Sequence, residues 1–259
     1  MATLIIASIS DRSGKTAIAA ALASKLSSDD SPVAVGKALG NSPSDDNDAA
    51  VFASLLPENP AVSVAAADIA SAITANAGSS KIAIVEGSAN AQSNVDMANS
   101  TDGLVLLIAR FGEDVAGAAQ TYGSRLAGVI INGVPKFRAG EVSGALASEM
   151  EADGIKFLGA IPDDRRMLAP TLGQVAEFLG GQFLSGEDES QRLLDNFLIG
   201  GLVLDWGPFY FSSRTNTGVI VRGDRPDVQL AAIQTDTTKA LILTKGVRPV
   251  EYVMYEAAQ

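Results

Sequence analysis

The chain of 259 residues contains no cysteine and no histidine. The absence of thiols excludes disulfides and cysteine nucleophiles, and the absence of imidazoles excludes every Ser–His and Cys–His catalytic arrangement. Zinc sites that depend on thiolate or imidazole ligands are excluded for the same reason. Any chemistry must therefore use Lys, Arg, Ser, Thr, Asp, Glu and backbone amides, with magnesium as the metal that suits such oxygen ligands.

Long hydrophobic runs and positive charge are also scarce. The longest uncharged apolar run, residues 103–109, is far shorter than the roughly 20 residues of a membrane-spanning helix. Residues 1–10 lack the basic region of a signal peptide. The net charge of −11 repels both nucleic acid and anionic membrane surfaces. We expect a cytoplasmic protein that has neither nucleic acid nor a membrane as its partner.

Two parts of different composition follow one another along the chain. Of the 41 alanines, 32 lie in the first 150 residues, whereas 10 of the 14 aromatic residues come after position 150. Residues 185–190, with the sequence Ser-Gly-Glu-Asp-Glu-Ser, form a short acidic stretch of the kind that joins domains. The sequence therefore predicts two domains, at residues 1–184 and 190–259.

The first part alternates short apolar runs with helix-length segments. The runs lie at residues 4–7, 33–35, 82–85, 104–108 and 129–131, and the Ala-rich segments lie at residues 15–26, 48–56, 65–76, 115–122 and 141–152. Runs that are apolar on both faces are typical of a buried parallel sheet, and Ala-rich segments favour helices. The alternation predicts an α/β fold, a doubly wound, mostly parallel sheet that binds ligands at the carboxyl ends of its strands.

A phosphate-binding loop is predicted where the first strand meets the first helix. Residues 8–16 read Ser-Ile-Ser-Asp-Arg-Ser-Gly-Lys-Thr and lead directly into the helix. Backbone amides at a helix N-terminus hold phosphate oxygens, Lys15 would reach the β and γ phosphates, and the Thr16 hydroxyl would hold magnesium. The alternative is a glycine-containing turn that only begins a helix. The predicted nucleotide-binding residues in this loop are Ser10, Asp11, Arg12, Ser13, Gly14, Lys15, Thr16 and Ala17.

This loop is one residue longer than the common pattern, with Ser8 in the place of the first glycine. It resembles the P-loop of dethiobiotin synthetases and cobyrinic acid a,c-diamide synthases. That resemblance implies ATP and Mg²⁺ as cofactors and a homodimer as the assembly. It also implies a catalytic role for Lys37, at the end of the second strand, beside Lys15.

The same resemblance assigns roles to four residues further along the chain. Asp48 and Glu86, the latter in Val-Glu-Gly at residues 85–87, would hold magnesium together with Thr16. Asn132 would read adenine, and Pro162 would belong to a loop beside that base. Each residue has a structural alternative: a helix N-cap for Asp48, a solvated strand end for Glu86, and a turn for Asn132. For Lys37 the alternative is an ordinary surface lysine.

The chain departs from both families in its substrate-binding parts. Residues 88–94, Ser-Ala-Asn-Ala-Gln-Ser-Asn, replace the glycine-rich substrate loop of dethiobiotin synthetases. A glutaminase domain, as in the diamide synthases, would need a cysteine nucleophile, and the chain has none. The resemblance therefore leaves the substrate open.

The second part carries the stretch Gly-Asp-Arg-Pro-Asp at residues 223–227, followed by an apolar, strand-like segment. It resembles the DRTGG domain, a small α/β domain that accompanies this P-loop module in the N-terminal half of long phosphate acetyltransferases. Asp224 is predicted to cap a helix that begins near Pro226. Arg225 is either a surface charge of that helix or part of a ligand or interface site.

Two functions remain open at this point. The first is an ATP- and magnesium-dependent enzyme that phosphorylates a carboxylate or carbamate. The second is a regulatory module that binds a nucleotide and acts on a partner enzyme through its DRTGG-like domain.

Overall fold

The computed structural model describes residues 1–28, 32–39, 48–56, 61–88, 90–201 and 206–258. The chain divides into two compact units, Met1–Asp163 and Asp164–Gln259. Each unit has a sheet of its own.

The first unit contains a parallel sheet of seven strands. The strands are β1 (Ala2–Ser8), β2 (Val33–Leu39), β3 (Ala61–Ala65), β4 (Ile82–Glu86), β5 (Leu104–Arg110), β6 (Leu126–Val134) and β7 (Phe157–Pro162). Their spatial order is β3-β2-β4-β1-β5-β6-β7, and every neighbouring pair is parallel. Strands β2, β3 and β4 lie on one side of β1, and β5, β6 and β7 lie on the other. The carboxyl end of β1 is therefore the position where ligands of such sheets bind.

Helices connect these strands. They are α1 (Lys15–Leu26), α2 (Asp48–Leu55), α3 (Ile69–Asn76), α4 (Ala91–Ser100), α5 (Val115–Tyr122), α6 (Ala139–Glu141) and α7 (Ala147–Ala152). A π-helical segment, Val142–Leu146, joins α6 to α7. The prediction of a mostly parallel α/β sheet is confirmed.

The sequence prediction missed three elements of this unit. Strand β3 precedes the predicted helix at residues 65–76, which begins at Ile69 after a 3-10 turn. Helix α4 is rich in Ser and Asn, which are weak helix formers, and the Asn90 side chain caps it by accepting from Ser93 N at 3.1 Å. Residues 159–162, which the resemblance placed in a loop with Pro162, lie in strand β7, because their backbone pairs with β6.

The two faces of the seven-stranded sheet carry separate hydrophobic cores. One core contains Ile5, Val85 and Leu107 and packs against α3, α4 and α5. The other contains Ile6, Ile84 and Ile108 and packs against α1. Consecutive residues of one strand thus point to opposite cores, which explains why each central strand is a continuous apolar run.

The second unit contains a smaller parallel sheet of three strands. The strands are β8 (Asn196–Gly200), β9 (Thr217–Arg222) and β10 (Thr238–Thr244), and the helices are α8 (Leu172–Leu179), α9 (Gly207–Phe211), α10 (Pro226–Ile233) and α11 (Glu251–Ala257). The strand order is β10-β9-β8. Backbone hydrogen bonds join Leu172 N to Arg192 O at 2.9 Å and Leu194 N to Pro170 O at 3.0 Å. These bonds attach the start of α8 to the segment before β8.

Within the described ranges, no helix is long and apolar enough to cross a membrane.

Tyr122, at the end of α5, gives a test of the first core. Burial raises the pKa of its hydroxyl, so the folded pKa lies above the unfolded value of about 10. The neutral phenol therefore stabilises the fold fully below pH 10, and this stability is lost as the pH rises through the folded pKa. We expect the melting temperature to fall more steeply above pH 10 in the wild type than in Tyr122→Phe.

The control is Tyr255→Phe, which changes an exposed tyrosine of α11. It should retain the alkaline slope of the wild type. Identical slopes for Tyr122→Phe and the wild type would contradict the prediction.

Candidate functional site

The loop between β1 and α1 turns the backbone so that helix α1 starts at the carboxyl edge of the sheet. Gly14 is the N-cap of α1 and has φ of 90°, in the left-handed region, and no side chain of the described residues caps the helix. Arg12 has φ of 55° and is exposed. A first turn that lacks a side-chain cap is a place where backbone amides can hold an anion.

Serine hydroxyls brace the loop from within. Ser8 Oγ donates to Ser10 O at 2.8 Å, and Ser13 Oγ donates to the same carbonyl at 2.7 Å. The ammonium of Lys15 donates to Ser8 Oγ at 2.8 Å, so the lysine folds back over the loop. The serine that replaces the first glycine therefore holds the predicted phosphate-binding lysine.

Glu86 lies at the end of β4, and its carboxylate faces both the loop and strand β2. It is 3 % exposed. Thr16 Oγ1 donates to Glu86 Oε1 at 2.9 Å, and Lys37 Nζ lies 3.2 Å from the same oxygen. A buried carboxylate is costly unless it is paired, and here a hydroxyl and an ammonium stabilise it. The structure thus brings Thr16, Lys37 and Glu86 into direct contact, with Lys15 beside Thr16 in the first turn of α1.

Asn132, at the end of β6, contacts the loop directly. Its Nδ2 donates to Ser13 O at 2.8 Å, and its Oδ1 accepts from Gly133 N at 2.9 Å. A Cβ atom on Gly14 would lie 2.6 Å from Asn132 Nδ2. Asn132 therefore fixes the position of the loop, and its amide keeps one hydrogen and one lone pair for another partner.

Three other predicted residues take part in none of the contacts just described. Asp48 begins α2, and its side chain lies outside the described residues. Pro162 ends β7 and is exposed. Ala17 is exposed in the first turn of α1. Among the described residues, no group of three or more Asp and Glu side chains lies together, so protein carboxylates alone do not form a metal site there.

The sequence did not predict a structural role for Asn94. This side chain of α4 is buried, and its Nδ2 donates to Ser88 O at 3.1 Å. A Cβ atom on Gly87 would lie 2.6 Å from Asn94 Oδ1. Asn94 thus holds the backbone that follows Glu86, and only a glycine fits at position 87 beside the Asn94 side chain. One Asn in a Ser/Asn-rich segment carries no pattern that would identify it.

In the second unit, two arginines and two aspartates pair after β9. Arg222 makes two hydrogen bonds to Asp224, at 2.8 and 2.6 Å, and Arg225 makes two to Asp227, at 2.9 and 2.8 Å. These hydrogen bonds hold the pKa of Asp224 and the pKa of Asp227 below their usual range. The prediction that Asp224 caps α10 is wrong, because the N-cap is Arg225 and the Asp224 carboxylate turns to Arg222 instead.

The fold and the strand, loop and helix that carry Lys15 and Thr16 define a P-loop nucleotide-binding protein. Residues 4–174 match the model of the CobQ/CobB/MinD/ParA nucleotide binding domain, and the chain belongs to that family. Residues 174–259 match the DRTGG domain. The predicted combination of these two modules is confirmed.

The proteins to which the chain is similar include a curated relative and two solved structures. The chain is 30% identical over 183 residues to a phosphate acetyltransferase of Pseudomonas putida, and the match covers 61% of this chain and 26% of the relative. The chain therefore spans about a quarter of that relative's length. A ParA family ATPase from Chlorobium tepidum has 18% identity and a TM-score of 0.43, with 70% of this chain and 90% of that one covered. HypB from Helicobacter pylori, in complex with nickel, has 17% identity and a TM-score of 0.40, with 72% and 91% covered.

Gly14→Ala tests the contact between the loop and Asn132. An alanine there would be strained at φ of 90° and would overlap the Asn132 amide. We expect a loss of about 1–3 kcal/mol in the free energy of unfolding, measured by urea denaturation.

The matched control is Gly112→Ala, because Gly112 has φ of 93° and no atom lies within 4 Å of the position that its Cβ would take. The free energy of unfolding of Gly112→Ala should fall only by the cost of backbone strain. Equal losses for Gly14→Ala and Gly112→Ala would show that Asn132 does not confine the loop.

Proposed function

We propose that the first unit binds ATP together with Mg²⁺ and uses them to transfer or hydrolyse the γ-phosphoryl group. The observation that carries this proposal is the convergence of Lys15, Thr16, Lys37 and Glu86 at the carboxyl edge of the sheet. Two ammonium groups near one phosphate-binding loop would neutralise charge that develops on the phosphoryl group during transfer.

The oxygen atoms of Thr16 and Glu86 fit a magnesium ion. Mg²⁺ takes oxygen ligands at about 2.0–2.1 Å in octahedral geometry, so neighbouring ligands lie about 2.9 Å apart. Thr16 Oγ1 and Glu86 Oε1 are separated by 2.9 Å. We propose that these two residues hold the ion, with Asp48 as a further ligand, while nucleotide phosphates and water complete the shell. The ion would polarise the phosphate oxygens.

The substrate class that suits this site is a carboxylate or carbamate that accepts the phosphoryl group. Lys37 supports it, because its ammonium lies 3.2 Å from the Glu86 oxygen that Thr16 also contacts, where it would face an anionic acceptor. Release of inorganic phosphate from ATP, with and without a panel of small carboxylates and amines, tests this reaction.

Lys15→Ala should weaken ATP binding. It removes a charge-assisted contact to phosphate that is worth on the order of 1.5–3 kcal/mol, or about ten- to a hundredfold in affinity. Isothermal titration calorimetry with MgATP measures the change.

Lys25→Ala is the control, since Lys25 is an exposed lysine at the other end of α1. The affinity of Lys25→Ala for MgATP should match that of the wild type. Equal binding by wild type and Lys15→Ala would remove this site from the proposal.

Asn132 is proposed to select adenine. Its free hydrogen and lone pair suit the donor and acceptor on the adenine edge. Because the same amide braces the loop through Ser13, Asn132→Ala should weaken binding of both ATP and GTP and also reduce the preference for ATP. A competition assay compares the two nucleotides.

The ratio of the two affinities separates these roles. A wild type that binds ATP and GTP equally, or an unchanged ratio in Asn132→Ala, would leave Asn132 with the bracing role alone.

A second candidate function is regulation of a partner enzyme through the DRTGG domain. The similarity to part of a phosphate acetyltransferase favours it, because that relative is much longer than the matched region. In this case nucleotide occupancy of the first unit would change a contact made by the second.

Arg225→Ala tests the regulatory function. Its pair with Asp227 is partly exposed, at 2.8 Å, so stability should change little. ATP affinity or assembly should change if Arg225 belongs to a coupled contact, because coupling between two sites is reciprocal. The control is Arg192→Ala, which breaks an exposed pair with Glu189 in the same unit.

If Arg225→Ala and Arg192→Ala leave ATP affinity, turnover and assembly equally unchanged, the Arg225 pair is structural. The regulatory candidate then loses its main support in the second unit.

A homodimer is proposed as the assembly. The resemblance to dethiobiotin synthetases supports this assembly.

A further inference from the structure

The small sheet of the second unit has one covered face. Val219 and Val221 of β9 pack against Val228 and Ala232 of α10, with Leu241 partly buried beside them. Side chains alternate across a strand, so the residues between these positions point to the opposite face.

The opposite face carries a row of isoleucines. Ile199, Ile220 and Ile242 are direct partners in the register of β8, β9 and β10. None of them belongs to a core of buried residues, and Ile199 is 69 % exposed. At the Gly218 end of the row, Phe197 and the buried Leu194 lie on the same face, because a Cβ atom on Gly218 would be 3.2 Å from the Phe197 ring and 3.0 Å from Leu194 Cδ1. We call Phe197, Ile199, Ile220 and Ile242 the isoleucine face.

All-parallel sheets are found almost only with both faces covered. The isoleucine face therefore needs a second apolar layer. One helix is enough for three strands, since such a sheet is about 10–14 Å wide and an eight-residue helix is about 12 Å long.

Helix α8 of the same unit has an apolar side that is also left exposed. It is amphipathic, with apolar side chains at Leu172, Val175, Phe178 and Leu179, yet none of its residues is buried. Phe178 is 90 % exposed, and an open groove of about 630 Å³ runs along Val175, Phe178 and Leu179. Helices of this kind are stabilised mainly by packing of the apolar side.

We propose that two copies of the chain form a dimer in which α8 of each copy packs on the isoleucine face of the other. A two-fold axis makes this exchange reciprocal, so one contact buries both apolar surfaces of both copies. The exchange specifies the interface of the homodimer proposed above, and it does not depend on nucleotide binding.

Charge favours contact through this unit. The chain carries a net charge of −11, and two such chains repel each other. Residues 164–259 contain nine basic and twelve acidic residues, which is a net charge of only −3. The four residues of the isoleucine face are uncharged, and Glu177 is the one charged residue along the α8 groove as described. Two copies therefore meet here with less repulsion than through their first units.

Light scattering is the first test. The wild type should have twice the chain mass of 26.6 kDa at micromolar concentration. Phe178→Asp and Ile199→Asp place a charge in the apolar contact from either side, and each should give a monomer that keeps the wild-type far-UV circular dichroism. The control is Phe137→Asp, at a residue of the first unit that is 86 % exposed, and it should stay dimeric.

The absence of cysteine permits a cross-linking test in a clean background. Leu179→Cys and Ile199→Cys chains are mixed and treated with a short bismaleimide. The mixture should give a covalent dimer, whereas each variant alone should give little, because each cysteine faces an unsubstituted surface of the partner. A mixture of Phe137→Cys and Ile199→Cys is the control and should not cross-link.

A monomeric wild type would overturn the proposal. A dimer that resists both Asp variants would overturn this interface while leaving a homodimer by another surface. A chain with both Leu179→Cys and Ile199→Cys that cross-links only within itself would show that α8 closes on its own sheet, which also overturns the exchange. Calorimetry with MgATP on Phe178→Asp is a separate readout, so failure of the interface is distinguished from failure of nucleotide binding.

Discussion

The carboxylate of Glu86 is buried at the end of β4, where an unpaired charge would be strongly destabilising. Thr16 and Lys37 stabilise it from two different elements, the first turn of α1 and the end of β2. This one oxygen therefore ties together the first turn of α1, strand β2 and strand β4. The candidate metal position and the orientation of Lys37 depend on that arrangement.

Two side-chain amides also fix the backbone around the site. Asn132 holds the carbonyl of Ser13, and Asn94 holds the carbonyl of Ser88. Each amide also approaches a glycine, Gly14 or Gly87, so closely that a larger residue would overlap it. The loop backbone at Ser13 and the backbone that follows Glu86 are thus each fixed by a side-chain amide, which prepares the site before any ligand binds.

The second unit shows the opposite situation, in which surfaces are left without cover. Its arginines and aspartates satisfy one another after β9, but the isoleucine face and the apolar side of α8 have no counterpart within the described part of the chain. Polar groups can be satisfied by neighbours in sequence, whereas an apolar face needs a surface of matching size. The proposed association between two copies would supply such a surface.

The alternation of apolar runs and Ala-rich segments was enough to predict the sheet type, and the stretch at residues 8–16 was enough to predict the phosphate-binding loop, because both are local patterns. The contact of Glu86 with Thr16 and Lys37 was expected only from the resemblance to dethiobiotin synthetases. It did not reveal β3 and β7, which are short strands at the two edges of the sheet, or α4, whose Ser and Asn are weak helix formers and whose start is set by the Asn90 cap. Asp224 pairs with Arg222, two residues before it, in place of capping α10, and the sequence offered both partners. Only the tertiary structure set the bracing by Asn132, because its hydrogen bond to Ser13 joins segments far apart in the chain and exists only once the chain has folded.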